Sequence, residues 1–304
     1  MSDPLSDILT LVDARSVLSA GLTAASPFAM RFHSSQSLKL GVMLMGEAWL
    51  QIEDQAPVRL CQGDCYLMTG GWTYTLATDL SLPPVDGHEI FATAVGSVAH
   101  YGGIADFILV AGKTTLDPVQ APLLLDLLPP LLHIPYGSAE AEVLTWLTQQ
   151  LSREMRDRRP GYPFAASHLF SLMFMQVLRT RLTTSAAAST GWLSALADER
   201  LAPAMRGIHA EPSRRWTVAE LARLSGMSRS AFAAHFRQRA GRPPLDYLLH
   251  WRMRRAAERL RRDNSPILPI ALTAGYDSES AFSNAFKRIM GQSPGQYRKE
   301  KAAG

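Results

Sequence analysis

The chain has 304 residues, 47% of them hydrophobic and 19% charged, with two cysteines and a formal net charge of +4. That length is enough for more than one domain with its own core, the composition excludes a disordered chain, and two cysteines exclude a disulfide scaffold. The modest charge conceals an uneven split: residues 200–304 hold 20 Lys and Arg against 8 Asp and Glu, which leaves 11 against 19 for residues 1–199.

Residues 1–13 lack the basic start and apolar run of a signal peptide, so a cytoplasmic protein is expected. Over the first 135 residues, apolar and β-branched runs are cut by Gly and Pro about every 8–12 residues, the pattern of an antiparallel barrel or sandwich. Strands are expected over residues 30–33, 38–45, 48–53, 58–60, 65–69, 73–78, 88–95 and 100–104, with a turn at Gly63-Asp64. Trp49, Trp72 and Tyr74 either line a small-molecule pocket or belong to the core. Cys61 and Cys65 flank the turn, close enough in sequence for a redox pair, or simply two small residues at strand ends in a reducing cytosol. His33, His88, His100 and His133 show no metal-ligand spacing, so neither a metal nor another cofactor is expected.

Two amphipathic helices are expected over residues 139–155 and 163–182. The second is rich in Phe, Leu and Met, but Ser167, His168, Ser171 and Gln176 interrupt it, so it does not span a membrane. Its apolar stripe suits either a core between domains or a two-fold dimer interface. Residues 183–190 are small and polar, as in a flexible linker.

The last third contains an internal repeat. Ser228-x-Ser230-Ala231-Phe232-x3-Phe236-x4-Gly241-x2-Pro244-x2-Tyr247 recurs as Ser278-x-Ser280-Ala281-Phe282-x3-Phe286-x4-Gly291-x2-Pro294-x2-Tyr297. Each copy predicts a short helix, a turn at Gly226 or Gly275, and a second helix capped by Ser228 or Ser278. Two helices joined by a short glycine-containing turn form a helix-turn-helix, whose second helix can enter a DNA major groove. A plain helical repeat packed on protein is the alternative, and the strongly basic balance favours DNA.

Off the Phe232/Phe236 face, the first such helix presents Arg229, Ser230, Ala233, Ala234 and Arg237; the second presents Glu279, Ser280, Ser283, Asn284 and Lys287. Asn284 can pair with adenine and Glu279 can accept from cytosine, whereas Ala233 and Ala234 offer only methyl contacts. More hydrogen-bonded base readout is therefore expected from the second unit, and phosphate or shape contacts from the first. Residues 245–262 predict an arginine-rich connecting helix that sets the distance between the two.

These residues resemble the DNA-binding domain of the AraC/XylS family of transcription regulators. The resemblance is carried by Trp216-Thr217-Val218, Gly226-Met227-Ser228, Ile270-Ala271-x3-Gly275-Tyr276, Phe282-Ser283-x2-Phe286-Lys287-Arg288 and the ending Gly291-Gln292-Ser293-Pro294-x2-Tyr297-Arg298. Gly46-Glu47-Ala48-Trp49-Leu50 and Leu60-x2-Gly63-Asp64-x-Tyr66-Leu67-Met68 resemble, more loosely, the cupin-like sensor domain of one branch of that family. The resemblance implies an α+β multidomain protein: an antiparallel, cupin-like β-barrel sensing domain over 1–135, a helical dimerisation region over 136–185, and an all-α domain over 190–304. Within the last, helix-turn-helix units are expected at about 217–239 and 266–289. Tyr74 stands where an enzymatic cupin would carry a ligand histidine, so a regulator is expected rather than an enzyme. A metal enzyme tethered to DNA and a sensor-free architectural DNA-binding protein are the alternatives. The partners expected are double-stranded DNA, an unidentified small-molecule effector, a second copy of the chain and RNA polymerase.

Overall fold

The computed structural model describes residues 3–33, 38–94, 98–138, 141–184, 191–262 and 265–302. The chain forms two compact units, one of Ala14–Arg181 and one joining Met1–Asp13 to Leu182–Gly304. From residue 185 on, the small polar segment expected as a linker lies outside the described residues, as do residues 139 and 140 at the start of the first expected helix.

The first unit is built on strands β1 (Arg15–Ala24), β2 (Ala29–His33), β3 (Leu38–Met45), β4 (Ala48–Ile52), β5 (Val58–Leu60), β6 (Cys65–Met68), β7 (Thr73–Ala77), β8 (Val85–Asp86), β9 (Val98–Tyr101), β10 (Phe107–Thr115) and β11 (Leu131–Ile134). They form a six-stranded sheet in the order β11-β6-β3-β10-β1-β9 and a five-stranded sheet in the order β5-β4-β7-β2-β8. The inner faces close on one core that takes Leu22, Met43, Tyr66 and Phe107 from the first sheet and Met30, Leu50, Tyr74 and Leu76 from the second. Gly41 is required here for space, because a Cβ would lie 2.2 Å from the Tyr66 ring.

The expected antiparallel barrel is not formed. Both sheets are open and mixed, with β9 parallel to β1 and β8 parallel to β2. Closing a barrel requires the outermost strands to pair with each other. Here the second sheet ends on β5 and β8, of three and two residues, too short to continue the ladder. The strand expected over 88–95 is also overturned. Helix α2 (Gly87–Ala92) occupies positions 88–92 of that span, begun by Asp86, whose side chain accepts from the His88 N–H at 2.8 Å. Asp86 with Glu89 three residues on is a helix-start signal that outweighs the β-preference of Ile90 and Phe91. A short helix α3 (Pro122–Leu125) precedes β11; α4 (Glu142–Asp157) packs on β3, and α5 (Tyr162–Thr184) buries Phe170, Met173, Val177 and Leu178.

The second unit is all helical: α1 (Pro4–Leu11), α6 (Trp192–Ala197), α7 (Ala202–Ala210), α8 (Val218–Leu224), α9 (Arg229–Ala240), α10 (Pro244–Arg262), α11 (Ile267–Thr273), α12 (Glu279–Met290) and α13 (Pro294–Ala302). Helix α1 packs on α7 and α10, burying Leu5, Ile8 and Leu11. Helix α10 contacts α9, α11, α12 and α13, so it forms the spine on which the later helices gather.

Candidate nucleic-acid interface

The sequence repeat is a repeat in space. Phe232 and Phe236 meet with centroids 5.6 Å apart at 53°, and Phe282 and Phe286 meet at 5.5 Å and 48°. Phe236 then meets Tyr247 edge-on at 5.8 Å, as Phe286 meets Tyr297 at 5.5 Å. In each copy a helical i,i+4 aromatic pair, fully buried, pins the second helix of the pair to the following helix.

The ends of these helices match as well. The Ala231 and Ala281 N–H groups donate to the Ser228 and Ser278 hydroxyls, both at 3.3 Å, and Gly241 and Gly291 close the helices in the left-handed conformation. The first helices differ. Helix α8 starts with a full capping box: the Thr217 N–H donates to Glu220 at 2.8 Å and the Glu220 N–H returns to Thr217 at 3.2 Å. Helix α11 starts after Pro266, with no side-chain cap, and carries Pro269 in its first turn, where its missing N–H costs little.

With the phenylalanines buried, the opposite faces stand in solvent. Arg229, Ser230, Ala234 and Arg237 on α9 are exposed, as are Glu279, Ser280, Asn284 and Lys287 on α12; Ala233 and Ser283 are half-buried. Among the described residues neither Arg229 nor Arg237 has an ion-pair partner. The other flank of α9 is committed inward. Asp198, at the end of α6, accepts from His235 Nε2 at 2.8 Å and Arg239 Nε at 3.2 Å. Burial alone would raise this carboxyl; the His235 bond and the Leu201 and Arg200 N–H groups hold it below the usual carboxylate range instead.

Sequence reasoning missed this cluster, because partners 37 and 41 residues apart leave no local pattern. It also missed the link between the two helix pairs. Arg215, in the loop before α8, forms an ion pair with Asp277, in the loop before α12. Exposed Gln238 on α9 extends the polar face beyond the expected set.

In the β-rich unit the three aromatics singled out by sequence do not come together. Tyr74 is buried between the sheets. Trp49 is half-buried on β4 and lines a separate cleft with Gly46, Arg59 and Asp106, while Trp72 is exposed and donates its ring N–H to the Thr69 carbonyl. Cys61 is exposed and Cys65 buried, and both are free. Burial pushes the Cys65 thiol up to about 12, with Thr148 Oγ1 3.7 Å away, so it stays protonated at neutral pH. Asp64 anchors the turn between them by accepting from the Cys61 N–H (2.9 Å), the Tyr136 N–H (2.8 Å) and His133 Nε2 (2.8 Å). Among the described residues no three His, Cys, Asp or Glu side chains converge as a metal site, and no helix is long and apolar enough to cross a membrane.

Comparison with known proteins agrees with this division. A family model described as Cupin matches residues 3–183, and one described as Helix-turn-helix domain matches residues 221–300. The chain is 41% identical to an AraC-like transcription regulator of Streptomyces antibioticus over 98% of each chain, and 40% identical to one of Streptomyces lividans over the same shares. It is 30% identical to the HTH-type transcriptional regulator AlkR of Acinetobacter baylyi, over 90% of this chain and 91% of that one.

Proposed function

The chain belongs to the AraC-like transcription regulators, with a cupin region followed by a helix-turn-helix DNA-binding region, and from that premise we propose that α8–α9 and α11–α12 are two reading units that enter successive major-groove segments of a promoter. It is a regulator and not an enzyme. The matching ring geometry of the two helix pairs supports the reading: each pair presents one polar face to solvent, and both are carried by α10. On α9, Arg229 and Arg237 grip phosphates or guanine. On α12, Asn284, Glu279 and Ser280 supply hydrogen-bonded base contacts while Lys287 meets the backbone.

The cupin region senses a small molecule, and its ligand shifts the population between arrangements that present the DNA-reading helices differently. A second copy of the chain docks on α4 and α5, where Val143, Trp146, Phe164 and Leu172 are at least half exposed. The protein works in the cytoplasm, where DNA and RNA polymerase are its macromolecular partners. The test is fluorescence anisotropy of the full chain on DNA upstream of its own gene, at several salt concentrations. Sequence-selective binding whose affinity falls steeply with salt supports the reading. Equal, weak binding to every sequence overturns it.

A further inference from the structure

Arg252, Arg255 and Arg259 stand at i, i+3 and i+7 on α10, so one face of that helix carries three guanidinium groups. They line a cavity of ≈ 180 Å³ that α10 shares with α11 and with Pro212, in the loop entering the first helix pair. Its apolar wall is made by Ala256, Ile270 and Ala274, all buried. One water needs roughly 10–15 Å³ of such space, so there is room for an anion of several non-hydrogen atoms.

These cations are held in place without being neutralised. Arg252 and Arg259 are half-buried and Arg255 is exposed. Arg252 gives two of its N–H donors to the carbonyl oxygens of Pro212 and Arg214. Arg259 donates from Nη1 to Thr273 Oγ1 at 2.6 Å, and that hydroxyl donates onward to the Ile270 carbonyl at 2.9 Å. Arg255 has no hydrogen-bond or ion-pair partner among the described residues. No residue lining the cavity is acidic. Glu258, the acid next to them on α10, bonds Arg262 at 3.2 Å and meets Arg255 only through space. Burial holds the Arg252 guanidinium below its ordinary range against an opposing pull from Tyr276, the direction expected of a cation that loses water and gains no acid.

We propose that this cavity is a binding site for a phosphate group, held by Arg252, Arg255 and Arg259. A phosphate monoester presents three oxygens and a charge of about −1.5 to −2 at neutral pH, and the planar guanidinium fork matches two such oxygens at a time. A carboxylate has two oxygens and one charge, which leaves at least one of the three arginines without a partner. The site owes nothing to the base-reading faces of α9 and α12. It joins the loop entering the first helix pair, the spine and the first helix of the second pair, so a bound phosphate stiffens the joint between the pairs. The group arrives on a free phosphorylated small molecule or on the backbone of bound DNA. The recess between Pro212 and α11 favours a terminal phosphate over a phosphodiester tied at both ends.

The test titrates inorganic pyrophosphate into the full chain by calorimetry and thermal melting at fixed ionic strength, with acetate as the carboxylate control. Pyrophosphate should bind and raise the melting temperature, and acetate should not. Arg255→Gln gives up no hydrogen bond within the protein and should lose about tenfold in pyrophosphate affinity, the loss of one charge-assisted pair. Arg206→Gln, which removes an equal charge from the exposed side of α7, should lose none. In the wild type, pyrophosphate should protect Arg255 and Arg259 from phenylglyoxal while Arg206 stays reactive, read by mass spectrometry, which needs no variant to fold. No pyrophosphate binding, equal binding of acetate, equal loss in the two variants, or no protection would each overturn the proposal. A promoter duplex in place of pyrophosphate separates the two sources. Protection by the duplex, reversed by pyrophosphate, assigns the phosphate to DNA. Arginines still reactive in the duplex complex, with pyrophosphate bound alongside, assign it to a free phosphorylated molecule. Pyrophosphate binding is read without DNA, so a failure of selective promoter binding counts against the proposed function and not against this site.

Discussion

The guanidinium of Arg252, on α10, donates from Nε to the carbonyl oxygen of Pro212 at 2.5 Å, and from Nη2 to that of Arg214 at 2.8 Å. The loop that enters the first helix pair is thereby held to the spine that carries the second. Gly275, in the turn of the second pair, closes against the same place: a Cβ there would lie 2.5 Å from the Ser213 carbonyl oxygen and 3.1 Å from the Arg252 guanidinium. Together with the exposed Arg215–Asp277 ion pair, these contacts link the two helix pairs.

Arg252→Ala should therefore affect spacing more than local folding. The expected stability loss is about 1–3 kcal/mol, from two hydrogen bonds lost with their charged donor, one of them part-buried and one exposed. Affinity for a promoter with both segments should fall further than affinity for a fragment with one. Gly275→Ala, at φ +79 and with backbone in the way, should destabilise the helical unit outright, by more than about 1 kcal/mol in urea titration.

Asn284→Ala and Arg237→Ala should differ in kind. The first should relax preference at one base pair, at a cost of about 1–3 kcal/mol on the best site. The second should weaken binding on every sequence and reduce the salt slope by about 1, the signature of one lost phosphate contact. Anisotropy on a panel of single-base variants separates the two.

The helical unit should lose stability in mild acid through His209. This side chain is 1% exposed; its Nε2 pairs with the Tyr247 hydroxyl at 2.8 Å, its ring packs 4.2 Å from Trp251, and Asp7 of α1 lies 3.4 Å from Nδ1. Burial lowers its pKa below the ordinary 6.5, and Arg255 acts the same way, while Asp7 and Asp3 oppose them. A base whose folded pKa is depressed binds its proton more readily unfolded, so stability falls as pH drops below about 6.5, by at most about 1.4 kcal/mol per pH unit. Asp7→Asn should steepen the loss, and His209→Phe should flatten it, in melts between pH 7 and pH 5.

Asp198→Ala should cost about 1–3 kcal/mol by freeing His235 and Arg239 from their shared acceptor. The carboxyl is depressed in the folded chain, so its contribution is present above the ordinary carboxylate pKa and fades as pH falls through the lower folded value. The wild type and the variant should therefore converge in stability at strongly acid pH.

How much was legible in the chain varies with the range of the forces involved. Six of the eight expected strands lie at the positions of β2 to β7, because alternation and turn residues act within a few positions. β1 and β10, which pair over nine positions inside the larger sheet, were not anticipated; their Gly-containing runs look locally like connections. The solvent-facing sides of α9 and α12 were legible from helical spacing alone. The bond between Lys39 on β3 and the Tyr74 hydroxyl on β7 was not, since only the packing of the two sheets brings these side chains together.

By itself the sequence determined the repeat, its caps at Ser228 and Ser278, its aromatic anchors and the basic balance of the last third, since each is set by neighbours within a helical turn or by composition. Only tertiary structure decided that the sheets stay open, that α1 packs in the helical unit, that Asp198 holds one flank of α9, and that Lys39 faces Tyr74 across the core. These depend on which distant segments share a dry interior, where the strength of a charge or a hydrogen bond is set by surroundings that no local pattern encodes.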